Sequence, residues 1–124
     1  MHLNLEKLTV SQKLFEPFGD VISKGMENNK FLINQGYCER FDEVATVQVL
    51  DKKTNPIISI FSATPRKRPI KIDYLEMHPL ASQAFVPLQK FDWQVVVAND
   101  KDGSPDLSSI KYFEVPGNVG INYN

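Results

Sequence analysis

Cysteine is almost absent from this sequence, and it has no long apolar run. The one cysteine, Cys38, has no partner for an intramolecular disulfide, so nothing indicates a secreted fold held by disulfides. The longest strictly aliphatic stretch, Val95–Ala98, is far shorter than the roughly 20 residues of a membrane-spanning helix. Residues 1–10 lack the apolar region of a signal peptide. We therefore expect a cytoplasmic protein with no membrane partner.

The sequence also lacks an excess of either charge. Its 14 Lys and Arg residues are balanced by 15 Asp and Glu residues, which gives a formal net charge of −1. A near-neutral balance provides no electrostatic attraction to nucleic acid. Arg66, Lys67 and Arg68 form a short basic run between prolines, which is typical of a solvated loop. We expect no nucleic-acid partner.

The chain is long enough for one domain, which we predict over residues 1–124. It has 124 residues, of which 42% are hydrophobic and 23% are charged. A chain of this length buries roughly two-thirds of its unfolded surface on folding. It can therefore form a core without disulfides or a structural metal.

The pattern of apolar residues predicts one short helix followed by strands. Residues 11–18 have apolar residues at helical spacing, with Thr9 or Ser11 as the N-cap. Residues 70–78 alternate strictly, and residues 93–100 are apolar on both faces, which is typical of a central buried strand. Further strands are predicted at 47–49, 57–61 (paired with 47–49 in a hairpin), 84–88, the end of 106–113, and 120–123. The fold class is all-β, an antiparallel sandwich or barrel.

Histidine is scarce, and one of the two histidines is a candidate for chemistry. We expect His2 to be a solvated terminal residue. His78 shares a predicted strand face with Glu76, so both side chains can enter one cavity as a base with its orienting partner, or as two metal ligands. The alternative is a half-buried polar pair at a strand end, which any alternating strand produces. A metal site usually takes three ligands, and the sequence supplies few beyond His78.

Hydrogen-bonding side chains also cluster in residues 31–41. Asn34 and Arg40 belong to this segment, and an arginine fork is suited to a carboxylate. The alternative is a surface arginine in a loop or an edge strand.

Several ordered segments resemble the ureidoglycolate lyase family. They are FGDVI (18–22), FLINQGYCERF (31–41), PIISIF (56–61), LEMHPLASQAFVPL (75–88), VVVA (95–98), PDLSSIKYF (105–113) and GINY (120–123). The resemblance implies a cupin-like β-barrel with one short N-terminal helix. It also implies a homodimer and cleavage of (S)-ureidoglycolate to glyoxylate and urea in allantoin degradation, a part of purine metabolism. A divalent metal, Ni²⁺ in particular, is implied as the cofactor, with His78 as its ligand in this chain.

The substrate chemistry suggests roles for residues in the matching segments. Cleavage requires a base that removes the hydroxyl proton and an acid that protonates the departing urea. It also requires a residue that binds the substrate carboxylate. We assign His78 and Glu76 to acid–base chemistry and Arg40 to the carboxylate. Other candidate substrate-binding residues are Asn34, Ser82, Gln83 and Tyr123.

The family has a further segment after the GINY block, with a tryptophan, two adjacent histidines and a proline. This sequence does not contain it, so we expect a C-terminally shortened domain with an incomplete ligand set. The alternative to an enzyme is a non-catalytic cupin-like remnant that binds a small carboxylate or acts as a dimerisation module.

Overall fold

The computed structural model of the chain describes residues 3–24 and 29–124, and His2 lies outside them. These residues form short strands with one helix and one 3-10 turn, which confirms the all-β prediction. The elements in chain order are β1 (Lys7–Thr9), α1 (Gln12–Phe15), β2 (Gly19–Ile22), β3 (Lys30–Ile33), the 3-10 turn Asn34–Gly36, β4 (Cys38–Phe41), β5 (Gln83–Phe85), β6 (Trp93–Val97), β7 (Asp100–Lys101), β8 (Ser104–Pro105), β9 (Lys111–Val115) and β10 (Gly120–Tyr123).

Two three-stranded sheets enclose one core. In the first sheet β9 lies between β1, which is parallel to it, and β6, which is antiparallel. In the second sheet β10 lies between β2 and β5 and is antiparallel to both. Alternate residues of β9 and β10 point inward, as the two-residue period of a strand requires. The buried apolar residues are Phe15, Phe18, Val21, Val97, Phe113, Val115 and Ile121.

The predicted helix exists and is shorter than expected. It covers Gln12–Phe15, and Ser11 is its N-cap, with the Ser11 Oγ accepting a hydrogen bond from the Leu14 N–H at 3.2 Å. Phe15 is fully buried, and its ring meets the Phe113 ring edge to face at 5.6 Å between centroids. The helix therefore connects β1 to β2 and contributes an aromatic ring to the core.

The strand over residues 93–97 is confirmed, but its predicted central position is wrong. The strand β6 lies at one side of its sheet, and β9 is the central strand. Trp93, Val95 and Val97 pack on the core, whereas on the other face the Arg68 Nη2 donates to the Gln94 Oε1 at 2.8 Å. Val96, on the same face as Gln94, lines a cleft, so the apolar pattern of this strand does not require a central place in the sheet.

Three predicted strands are wrong. Residues 57–61 and 70–78 belong to no strand in the part of the chain that the structure describes, and 47–49 has only an isolated bridge between Val49 and Ala81. A strand requires a neighbouring backbone as hydrogen-bond partner, and alternation in sequence cannot supply one. Pro56, Pro65 and Pro69 also lack the N–H that pairing requires.

The second half of the chain contains the predicted turns. The hairpin of β7 and β8 turns at Asp102 and Gly103, both with positive φ, as a two-residue hairpin turn of this type requires.

A side-chain bond joins the two sheets. The indole N–H of Trp93 donates to the Val119 carbonyl at 3.3 Å. This bond ties the start of β6 to the residue before β10, and so joins the two sheets.

Candidate functional site

A cleft of about 590 Å³ lies beside the core, between the two sheets and the irregular segment 75–81. Small-molecule sites commonly have volumes of about 300–1,000 Å³. Its apolar lining residues include Phe18, Phe85 and Val97. The polar side chains among its lining residues include Gln48, Glu76, His78, Gln83, Asn99, Asp100, Tyr123 and Asn124.

His78 and Glu76 both line the cleft, and they contact each other. The Nε2 atom of His78 lies 3.6 Å from the Oε2 atom of Glu76, and both side chains are at least half exposed. The strand predicted for this pair is absent, so the contact arises in an irregular segment. An imidazole beside a carboxylate can exchange protons with a bound molecule while the carboxylate orients the ring.

Gln83 and Tyr123 also line the cleft. They are directly opposed in the pairing of β5 with β10, and directly opposed residues project from the same face of a sheet. The Tyr123 ring packs at 5.7 Å from the Phe85 ring and 6.1 Å from the Phe15 ring. The aromatic core thus fixes the phenol at the edge of the cleft.

Burial raises the pKa of Tyr123 to about 12. Loss of solvent disfavours the charged phenolate, so the hydroxyl keeps its proton well beyond the ordinary range. Tyr123 can therefore donate a hydrogen bond at any physiological pH.

Carboxamide side chains that the sequence analysis missed also line the cleft. They are Gln48, Asn99 and Asn124, which come from separate segments and join Gln83 there. A carboxamide both donates and accepts hydrogen bonds without carrying charge. No sequence signal identifies these residues, because their convergence depends on how the chain folds.

Ser82 lies next to the cleft but is engaged with the backbone. Its Oγ accepts a hydrogen bond from the Gln48 N–H at 2.9 Å, and its own N–H donates to the Gln48 carbonyl at 2.9 Å. The side chain holds residues 48 and 82 together in this structure. Its predicted contact with substrate stays a prediction.

Arg40 and Asn34 are not among the residues that line the cleft. Arg40 lies on β4, where its Nη2 is 2.8 Å from the Asp42 Oδ1 and its guanidinium lies 5.7 Å from the centre of the Phe31 ring. Asn34 begins the turn between β3 and β4 and has a positive φ of 53°. Their predicted roles stay predictions, and neither is brought together with His78 here.

The residues present do not fit a three-ligand metal site. Among residues 3–24 and 29–124, no group of three or more His, Cys, Asp or Glu side chains is placed to hold an ion. His78 and Glu76 offer two donors, whereas catalytic zinc sites take three protein ligands.

Within the same described residues, no helix is long and apolar enough to cross a bilayer.

Comparison with known proteins gives consistent matches over the whole chain. The family model described as ureidoglycolate lyase matches residues 1–124. Proteins named ureidoglycolate lyase from Salmonella paratyphi B and Salmonella typhimurium are each 42% identical over 122 residues, which cover 98% of this chain and 74% of those proteins. The protein of the same name from Salmonella enteritidis is 41% identical over the same coverage.

Proposed function

This chain belongs to the ureidoglycolate lyase family, and from that membership we propose how its cleft cleaves ureidoglycolate to glyoxylate and urea. The observation that carries the proposal is the meeting of His78, Glu76, Gln83 and Tyr123 around one cleft of suitable volume. The enzyme is a carbon–nitrogen lyase of allantoin and purine breakdown. Its substrate is a small molecule.

The reaction requires two proton movements around one carbon. That carbon bears a hydroxyl, a carboxylate, a hydrogen and a ureido nitrogen. The hydroxyl proton leaves, a carbonyl forms, the carbon–nitrogen bond breaks, and the ureido nitrogen gains a proton. Positioned acid–base groups accelerate such steps by about 10²- to 10⁴-fold.

His78 takes the hydroxyl proton and returns a proton to the departing nitrogen. Glu76, whose Oε2 lies 3.6 Å from the His78 Nε2, orients the imidazole for both steps. One imidazole can serve both steps because it holds the transferred proton. The His78 side chain is half exposed, so its ring is accessible to a molecule bound in the cleft.

Gln83 and Tyr123 bind the substrate by hydrogen bonds. The neutral Tyr123 hydroxyl donates to the oxygen that becomes the carbonyl of glyoxylate. The Gln83 carboxamide pairs with the ureido group, whose N–H donors and carbonyl acceptor match an amide. Gln48 is a second carboxamide suited to the same group.

Arg40 remains the residue proposed to bind the substrate carboxylate. It lies on the β3–β4 hairpin and is not among the residues that line the cleft. The Arg40 guanidinium is held by Asp42 rather than by a group in the cleft. Changing Arg40 to Ala tests the role. A large rise in KM would support it, and an unchanged KM would remove Arg40 from the site.

A divalent metal, Ni²⁺ in particular, is proposed from the family resemblance alone. Because the described residues supply two donors rather than three, no step above is assigned to it. Assays with added Ni²⁺ and with a chelator test the requirement. Metal titration followed by calorimetry would detect binding independently of turnover.

The deciding experiment measures glyoxylate release from ureidoglycolate by the purified chain, against a blank without enzyme for spontaneous decay. Wild type should exceed the blank, and His78→Asn should lose at least about 100-fold in kcat. Glu76→Gln should lose less, because the imidazole is still present. Circular dichroism should show that all three proteins are folded.

Two outcomes would contradict the proposal. Unchanged turnover in His78→Asn would remove His78 from the chemistry. No turnover by folded wild type, with and without Ni²⁺, would favour the non-catalytic remnant.

We also propose that the protein is a homodimer. Apolar side chains in residues 57–61 support this, because Ile58 is 99% exposed and Phe61 is 70% exposed in the single chain. Sedimentation at several concentrations tests it, and Ile58→Asp should shift the equilibrium to monomer. A monomer at all concentrations would contradict it.

A cytoplasmic location is the last proposal. Its support is the single free cysteine, Cys38, which suits a reducing compartment. Fractionation of cells that express the tagged protein would test it. Recovery outside the cytoplasmic fraction would contradict it.

A further inference from the structure

Asn122 is the most deeply buried polar residue in the part of the chain that the structure describes, with 1% of its surface exposed. It lies on β10 next to Tyr123, and because strand side chains alternate, it projects from the opposite face of the sheet. Tyr123 faces the cleft, so Asn122 faces away from it. Burial of an amide is costly unless its atoms are hydrogen-bonded. In the described structure the Asn122 Oδ1 has no partner, so the two bonds from its Nδ2 are the ones that hold the side chain.

The partners of Asn122 come from two distant segments. Its Nδ2 donates to the Asp20 Oδ2 at 3.1 Å and to the Thr46 carbonyl at 3.0 Å. The Thr46 N–H donates to the same Asp20 oxygen at 3.3 Å. We call Asp20, Thr46 and Asn122 the anchor. It fixes the backbone of residue 46 against the sheet of β2 and β10.

A short ladder of hydrogen bonds begins two residues after the anchor. The Leu50 N–H donates to the Leu80 carbonyl at 2.7 Å, and Gln48 and Ser82 exchange the bonds described above. Val49 and Ala81 form the bridge between them. The ladder ends at Leu80, two residues after His78.

We propose that Asn122 and Asp20 are positioning residues for His78, acting through the ladder. The inference rests on the proposed role of His78 in the reaction. Residues 70–78 belong to no strand in the described structure, so sheet pairing does not place the imidazole. The ladder holds the chain from Leu80, two residues after His78, and the anchor holds the other side of the ladder. A displacement of about 1 Å at a reacting group can cost about 100-fold in rate.

Variants at Asp20 separate positioning from general stability. Asp20→Ala removes the acceptor of both bonds, whereas Asp20→Asn keeps one oxygen that can accept them. Asn122→Ala removes the two donated bonds from the other side. The matched control is Asp92→Ala, which removes one bond that the Gly117 N–H donates to Asp92 at 3.0 Å, away from the cleft.

Kinetics below the melting temperature give the first readout. Asp20→Ala and Asn122→Ala should lower kcat by about 10- to 100-fold with KM changed less than about threefold. Asp20→Asn should restore kcat to near wild type, and Asp92→Ala should leave it unchanged. Equal kcat in Asp20→Ala and Asp92→Ala would overturn the proposal, even if both lower the melting temperature.

Hydrogen exchange gives a readout independent of the reaction. The Leu50 and Ser82 amides should exchange at least about tenfold faster in Asp20→Ala, while the Val95 and Phe113 amides keep wild-type rates. Unchanged exchange at Leu50 and Ser82 would overturn the anchor. If wild type releases no glyoxylate, the proposed function fails, and the exchange rates alone then decide whether the anchor holds the ladder.

Discussion

Gln83 and Tyr123 lie directly opposite each other on β5 and β10, and both line the cleft that contains His78. An amide and a neutral phenol from distant parts of the sequence therefore face one small volume. Neither carries charge at physiological pH, whereas His78 and Glu76, which line the same cleft, are ionisable residues. Binding and proton transfer are thus assigned to different residues of one cleft.

Replacing Gln83 with Leu should raise KM for ureidoglycolate by about tenfold, because about 1 kcal/mol is lost with each hydrogen bond to the ureido group. The measurement is the initial rate of glyoxylate release at several substrate concentrations. Gln94→Leu is the matched control, since Gln94 bonds to Arg68 and does not line the cleft. An equal change in both variants would argue against ureido recognition by Gln83.

Replacing Tyr123 with Phe should lower kcat/KM by about tenfold, because the ring is kept and one donated hydrogen bond is lost. Tyr112→Phe is the control, because Tyr112 lies on β9 and not among the cleft residues. The same assay measures both variants. Wild-type kinetics in Tyr123→Phe would show that the hydroxyl does not reach the substrate.

The raised pKa of Tyr123 predicts a loss of stability at alkaline pH. The side chain ionises near pH 10 when unfolded and near pH 12 when folded, so the folded state binds more protons in that interval. The contribution of Tyr123 is complete below about pH 10 and is lost as the pH rises towards 12. Urea unfolding at several alkaline pH values should show a shallower decline in Tyr123→Phe than in wild type. Identical slopes would contradict the prediction.

Replacing Gly19 with Ala should lower the free energy of unfolding by about 3 kcal/mol or more. Gly19 has a φ of +150°, and an added Cβ would overlap the Asn122 carbonyl across the β2–β10 pairing. Gly36→Ala is the control, because Gly36 also has positive φ but opens onto free space. It should cost about 1 kcal/mol from backbone strain alone. Chemical denaturation measures both, and equal costs would show that the close approach is unimportant.

The sequence identified β5, β6, β9 and β10 but assigned no strand at β1 to β4, β7 or β8, although all of these pair within the described chain. The segments around Trp93–Val97, Lys111–Val115 and Gly120–Tyr123 were found because their inward residues form one core. The predicted strands at 57–61 and 70–78 had equally clear patterns. Periodicity shows which face of a strand is apolar, but it contains no information about the neighbouring backbone.

The candidate site was only partly predictable for a related reason. His78 and Glu76 are two residues apart, so they lie close together although the strand from which their contact was predicted is absent. The places of Gln48 and Asn99 in the cleft, and the anchor between Asp20 and Asn122, depend on contacts between distant segments. Only the fold determines those contacts.

The bond from the Trp93 indole to the Val119 carbonyl gives the protein an internal optical reporter. Trp93 is the single tryptophan of the chain, so all tryptophan emission comes from the place where the sheets are joined. Separation of the sheets would bring water to the indole and shift its emission to longer wavelength. Fluorescence can therefore follow the joining of the sheets in real time without an added dye.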